Sequence, residues 1–225
     1  MAITDILGAM GNVIAIIFFI IPITMMIDLY KNKDTNKIPY FLFIFTILNC
    51  EFWALYGMKI NAWPIWLCNS VGIVTNHIFL TMFFIYLDIT TNRKIAYIAT
   101  LYVSFVLSFS VVYIFVDNFK LIGFIAMIMN ILMYAAPLQK LLEVIKKKDS
   151  SFIPIWVSLT LVLSSSIWIA YGYFKDRDLY IVIPNSIGLT ICLVQVILYF
   201  LFRKEKKNTA NSDEMDLKDK EYDKV

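Results

Sequence analysis

The stretch Trp53-Ala54-Leu55-Tyr56-Gly57, leading to Asn69-Ser70-Val71-Gly72, is written a second time as Trp168-Ile169-Ala170-Tyr171-Gly172, leading to Asn185-Ser186-Ile187-Gly188. The register extends beyond these words. Pro22, Pro39, Trp53, Tyr56 and Gly57 recur 115 positions later as Pro137, Pro154, Trp168, Tyr171 and Gly172, while Asn69 and Gly72 recur one residue further on, at Asn185 and Gly188. Two copies of one unit in a single chain imply a two-fold pocket between them.

Composition places that unit in a membrane. A mean hydropathy of +0.73 with 60% hydrophobic residues exceeds what one soluble core can hide, so the surplus must face lipid. A spanning helix needs roughly 20 apolar residues. The chain supplies seven such runs, about Ile6–Leu29, Ile38–Tyr56, Trp63–Leu87, Ile95–Val116, Phe119–Val144, Phe152–Phe174 and Tyr180–Phe202. The first run lacks a basic leader and outlasts the roughly 7–15 apolar residues of a secretory signal, so it is read as a retained span. Duplication inside an almost wholly apolar chain points to a small transporter.

One repeat covers spans one to three and the other spans five to seven. An odd number of crossings would leave two directly joined copies inverted with respect to each other, so one extra span is needed to make them parallel. The fourth run fits that role, having no Pro, Gly, Trp or Asn in its apolar stretch. The expected fold is an all-α membrane protein of seven helices in a 3+1+3 order. Its units are residues 1–88, a linker span 89–118, residues 119–203 and a tail 204–225. The tail turns abruptly to Lys, Asp, Glu, Asn and Ser, too polar to offset its ordering entropy, and is expected to be disordered.

Lys and Arg collect on the cytoplasmic side of membrane proteins. One set of loop regions holds Lys31, Lys33, Lys37, Arg93, Lys94, Lys140, Lys146, Lys147 and Lys148, and Arg203, Lys204, Lys206 and Lys207 follow the last span; the opposite set has Lys59, Lys120, Lys175 and Arg177. The N-terminus is therefore expected outside and the C-terminus in the cytosol, with the plasma membrane favoured over internal membranes. The net charge of +3 reflects this bias and not a nucleic-acid surface. Cys50, Cys68 and Cys192 fall inside the apolar runs without metal-ligand spacing, which argues against a disulfide framework or a zinc site.

These residues resemble the SWEET sugar transporters, the MtN3/saliva family, over residues 6–203. The likeness rests on the paired Trp-Tyr-Gly and Asn-x-x-Gly units, on Met133-Tyr134-Ala135-Ala136-Pro137-Leu138, and on Asp178, Pro184-Asn185 and Gln195. It implies parallel repeats about an axis along the membrane normal. It also implies a pocket containing Asn69, Asn185 and Trp168, a proline tetrad (Pro22, Pro39, Pro137 and Pro154) that hinges the halves, and an outer gate closed by Tyr56 and Asp178. Phe18 and Met133, four residues before Pro22 and Pro137, occupy positions that tune which sugar fits. Gln195, Gly57 and Gly172 fall in the gating and hinge set. Related proteins form oligomers, so the likeness is compatible with a homo-oligomer.

The residues themselves carry much of this chemistry. Helical spacing puts Asn69, Gly72 and Asn76 on one face of span three, and Asn185, Gly188, Cys192 and Gln195 on the matching face of span seven. Polar side chains are disfavoured against lipid, and an amide both donates and accepts, matching the hydroxyls of a sugar. The alternative is helix-to-helix bonding, worth about 0.6 kcal/mol on average in a membrane. Trp53 and Trp168 offer flat faces that could stack on a sugar ring, or belong to the interfacial aromatic belt. The two glycines let the same face approach a neighbouring helix or a ligand.

A neutral sugar needs no countercharge. Glu51 is the one acid well within a span and His77 the only histidine. An intramembrane acid is a functional candidate, and it motivates the rival reading of a proton-coupled PQ-loop-type carrier of amino acids or other small solutes. The Pro-Gln dipeptide of that group is absent, since Leu138 follows Pro137. Internal duplication counts against a seven-span receptor, and no Ser-His-Asp, HExxH or Gly-rich phosphate loop supports an enzyme. The expectation is a passive, bidirectional uniporter of a mono- or disaccharide working by alternating access, with no cofactor and no metal; its partners are a small neutral sugar and the bilayer.

Overall fold

The computed structural model describes residues 3–36 and 38–202. The tail expected over residues 204–225 lies outside them. Among the described residues the chain is helical, in the order α1 (Ile3–Ile20), α2 (Ile23–Asn32), α3 (Tyr40–Lys59), α4 (Trp63–Tyr86), α5 (Thr91–Phe115), α6 (Phe119–Leu132), α7 (Ala135–Lys147), a short 3₁₀ turn (Ser150–Phe152), α8 (Ile155–Phe174) and α9 (Leu179–Phe202). These give seven helical segments long and apolar enough to cross a bilayer, with α1–α2 and α6–α7 each forming one.

Those two segments break where proline removes a backbone donor. Pro22, with φ −66°, heads α2, and the α6–α7 break at Met133–Tyr134 falls one turn before Pro137, whose ring would crowd the carbonyl four residues back. Pro39 and Pro154 act differently. Expected within spans two and six, they stand immediately before α3 and α8 and so start these helices without bending them. Proline is tolerated at a helix entry, where its missing N–H has no intrahelical partner to lose.

Within each half the third helix lies between the other two: α4 packs on α1 and α3, and α9 on α6 and α8. The same turn closes both hairpins. Ala62 N–H donates to the Gly57 carbonyl and Asp178 N–H to the Gly172 carbonyl, each at 2.8 Å. The second turn is one residue longer, with Asp176 and Arg177 both left-handed where the first has Asn61 alone, which accounts for the one-residue slip in the repeat. Gly57 and Gly172 are needed here. A Cβ at Gly57 would come within 2.7 Å of the Trp66 nitrogen, and one at Gly172 within 3.0 Å of Ile181 and Val182 side-chain carbons.

The halves meet through α1 against α8 and α3 against α6. Trp53, Tyr56 and Ile65 from one half and Ile122, Ala126, Tyr171 and Ile181 from the other form a single buried cluster near the α3–α4 and α8–α9 turns. At the opposite, basic end, α2 packs on α4, and α7 on α9 and the 3₁₀ turn, each within its own half. There Met26, Leu29, Phe43, Phe79 and Phe83 form a core inside the first half. The bundle is thus closed at one end and joined less firmly at the other. Helix α5 lies against α3 and α4 of the first half, and none of its described residues is fully buried.

Candidate functional site

A cavity of about 150 Å³ lies between the halves, with Trp53, Asn69, Trp168 and Asn185 all in its lining. Repeat partners face each other across it: Trp53 with Trp168, Asn69 with Asn185, and Ile65 with Ile181. Among its lining residues none is charged.

The two paired asparagines are oriented by their own helices. Asn69 Nδ2 donates to the Ile65 carbonyl and Asn185 Nδ2 to the Ile181 carbonyl, both at 2.8 Å. A carbonyl can only accept, so the amide orientation is fixed. Each Oδ1 remains without a protein partner among the described residues and is the group its amide offers to the cavity. Asn49, also in the lining, buries its Oδ1 with no partner. The site therefore presents hydrogen-bond acceptors between two indoles, an arrangement suited to a ligand that donates from several hydroxyls.

Asn76, Phe18 and Met133 do not join this lining. Asn76 is buried and donates to the Gly72 carbonyl of its own helix at 2.8 Å. Phe18 precedes Phe19, which lines the cavity, and Met133 lies one turn beyond Asn130, which also lines it. The residues added by the structure are Ala15, Phe19, Asn49, Cys68 and Asn130, with the pair Ile65 and Ile181. Counting 115 residues from Ala15 reaches Asn130, so the repeat could have identified that pair. Gly72 and Gly188 each make room for a neighbouring aromatic ring. A Cβ at Gly72 would come within 2.5 Å of the Phe19 ring, and one at Gly188 would meet the ring of Tyr134, the repeat partner of Phe19.

One turn toward the closed end, Tyr56 roofs the cavity. Its hydroxyl donates to Asp178 Oδ2 at 2.7 Å, and its ring meets Trp53 and Tyr180 edge-on at centroid distances of 5.9 and 5.8 Å. Asp178 also caps α9, with Oδ1 accepting from the Tyr180 N–H at 3.0 Å. Burial pushes the Asp178 carboxyl above its ordinary range, opposed by the bonds from Tyr56 and the backbone. The latch is one-sided, because the first-half equivalent of Asp178 is Ala62.

Gln195 and the prolines of the gating set lie toward the basic end, opposite to Gly57 and Gly172. Gln195 Oε1 accepts from Ser158 Oγ at 2.9 Å, in a second cavity lined by Pro137 and Pro154 among others. Glu51 is buried outside the central cavity: its Oε1 accepts from Ser108 Oγ of α5 at 2.7 Å, in the groove between α5 and the first half. His77 Nδ1 bonds the Ile73 carbonyl at 2.8 Å, and its ring packs on Tyr102 and Phe105 of α5.

A family model described as "Sugar efflux transporter for intercellular exchange" matches residues 5–91 and again residues 120–207, leaving most of α5 between the two matches. The bidirectional sugar transporter SWEET5 of Arabidopsis thaliana is 31% identical over 226 residues, covering 96% of this chain and 92% of its own length. SWEET7 of the same plant is 30% identical over 211 residues, with 90% and 81% covered. The 3.7 Å structure of a eukaryotic SWEET transporter superposes with a TM-score of 0.78 at 26% identity, over 88% of this chain and 96% of that one.

Proposed function

This chain belongs to the MtN3/saliva family of sugar transporters, the SWEETs, and we propose that it is a passive, bidirectional uniporter that carries a sugar down its gradient by alternating access. The observation that carries the reading is the uncharged cavity in which Asn69 and Asn185 each turn a free acceptor toward the space between Trp53 and Trp168. Sugar hydroxyls donate to those acceptors while the ring's C–H surface lies against an indole. Its volume of about 150 Å³ is below the roughly 300–1,000 Å³ typical of drug-sized ligands, which favours a single sugar ring over a disaccharide.

The chain divides into residues 1–88, the linker span 89–118 and residues 119–203, followed by the tail. The basic end faces the cytosol, so the Tyr56–Asp178 latch is the extracellular gate, and the basic-end halves move apart and together about Pro22 and Pro137. The protein sits in the plasma membrane, acts as a carrier and not as an enzyme, and binds no nucleic acid. Helix α5 offers the least buried surface to lipid or to a second copy. Glu51 supports uniport over proton coupling, because it faces α5 and not the cavity.

Counterflow in proteoliposomes, with radiolabelled monosaccharides, sucrose and amino acids, tests this reading. A sugar should exchange without a pH gradient, and Asn69→Ala and Asn185→Ala should each abolish exchange in protein that remains monodisperse. Amino-acid exchange, or full sugar flux in both variants, would overturn it.

A further inference from the structure

The repeat is matched at Trp53/Trp168, Asn69/Asn185 and Ile65/Ile181 around the central cavity and diverges one turn closer to the basic end. On α8 the cavity face runs from Trp168 through Ser165 and Leu161 to Ser158 and Pro154, and on α9 from Asn185 through Gly188 and Cys192 to Gln195. These steps of three and four residues keep to a single helix face. On α6–α7 the matching line is Asn130, Tyr134 and Pro137. Together they enclose a second cavity of about 180 Å³ that continues the first along the same three faces.

In the first half most of these positions hold apolar or aromatic side chains; the polar exceptions, Thr46 matching Leu161 and Asn76 matching Cys192, bond carbonyls of their own helices. The partners of Ser158, Ser165, Tyr134 and Gln195 are Phe43, Cys50, Phe19 and Phe79. Phe43 and Phe79 pack with ring centroids 5.6 Å apart, within the buried core of that half. In the second half Ser158, Ser165 and Gln195 are each more than nine-tenths buried, yet they open on space and not on packing. The Gln195 amide spends one end on Ser158, and Ser165 makes no hydrogen bond among the described residues. Polar groups that open on such a space are available to pair with the hydroxyls of a ligand.

We propose that this cavity is a second sugar-binding station, built by the second half alone, where a polyol pauses between the central site and the basic end. The Ser165 hydroxyl, the free end of the Gln195 amide and the Ser158 hydroxyl supply both donors and acceptors to it. The station rests on the sugar-transport reading above, and it makes the translocation path one-sided: the second half supplies the whole lining of this station, while the matching Phe43 and Phe79 pack into the first half's own core.

Two native thiols report the two cavities, since Cys68 lines the central one and Cys192 the second. The full chain in proteoliposomes is alkylated with N-ethylmaleimide, and each thiol is followed by peptide mass spectrometry with D-glucose, D-fructose or sucrose present and L-glucose as the control. The transported sugar should slow alkylation of both thiols in the wild type. In the Asn69→Ala/Asn185→Ala double variant Cys68 should lose this protection and Cys192 should keep it. Ser165→Val with Gln195→Leu should raise the sugar concentration that half-protects Cys192 at least about tenfold, as loss of two neutral hydrogen bonds implies. Loss of Cys192 protection together with that of Cys68, unchanged protection in the Ser165→Val/Gln195→Leu variant, or an unreactive Cys192 would overturn the station while leaving the central site standing. Transport of none of the sugars, with neither thiol protected, would overturn both.

Discussion

The Tyr56 hydroxyl and the Asp178 carboxylate meet at 2.7 Å across the boundary between the two halves, directly over the central cavity. The phenol is held by α3 and the carboxylate by the cap of α9, so opening this end must break the bond. Tyr56→Phe keeps the ring and removes the donor. A hydrogen bond to a charged group is worth about 1.5–3 kcal/mol, so the open population should rise roughly tenfold or more. An impermeant thiol reagent applied from the latched side should then label Cys68 correspondingly faster. An unchanged rate would show that the bond does not hold the gate.

Asp178 gives the latch a pH dependence of definite sign. Burial raises its carboxyl in the closed state, whereas opening rehydrates the group and returns it toward the ordinary carboxylate range. The closed state therefore binds the proton more tightly. Between the ordinary carboxylate range and the raised value, acidification should favour closure and slow Cys68 labelling from the latched side. Asp178→Asn should flatten the profile. Faster labelling at low pH in the wild type would reverse the assignment.

The amide orientation at the central site makes a substitution that looks conservative a severe one. Asn69 must donate to the Ile65 carbonyl while presenting its acceptor inward. Asn69→Asp keeps the acceptor but has no donor for that carbonyl and adds a charge to an uncharged cavity. Counterflow should fall at least as far as in Asn69→Ala, with Asn185→Asp behaving alike. Retained exchange in either Asp variant would mean that the amides do not face the sugar as described.

Much of this was readable beforehand, and the reason is the duplication. Trp53, Trp168, Asn69 and Asn185 could be paired before any coordinates existed, because a repeated polar residue in an apolar helix has to face its copy or lipid. Phe18 and Met133 come from the family resemblance alone, whereas the cavity is lined by Phe19, the next residue along α1, and by Asn130, one turn before Met133 on α6. Asn76 has the right helical phase but lies too far along α4, where it bonds Gly72. The one-sided features, Asp178 opposite Ala62 and Ser158 opposite Phe43, stand out only once the copies are laid on each other in space.

Glu51 supplies the last test, because a buried acid inside a transporter is the natural candidate for proton coupling. Its place in the bundle argues otherwise: Oε1 is bonded to Ser108 at 2.7 Å, and the side chain lies in the groove under α5, outside the sugar cavity. Coupling would need the protonation state of Glu51 to change the energy of sugar binding or of the halves' motion, yet the helix it touches packs chiefly on α3 and α4 of the first half. Glu51→Gln keeps the acceptor for Ser108 and removes the titration. Sugar counterflow should stay within about twofold of wild type and remain indifferent to an imposed pH gradient, since the surviving hydrogen bond is all the site needs. Glu51→Leu, which leaves the exposed Ser108 its bond to the Phe105 carbonyl at 3.1 Å, should change thermal stability by no more than about 0.5–1.5 kcal/mol, the net worth of one hydrogen bond, and leave the substrate profile unchanged. Uphill sugar accumulation driven by protons in the wild type and abolished by Glu51→Gln would make this carboxyl the coupling residue and end the uniport assignment.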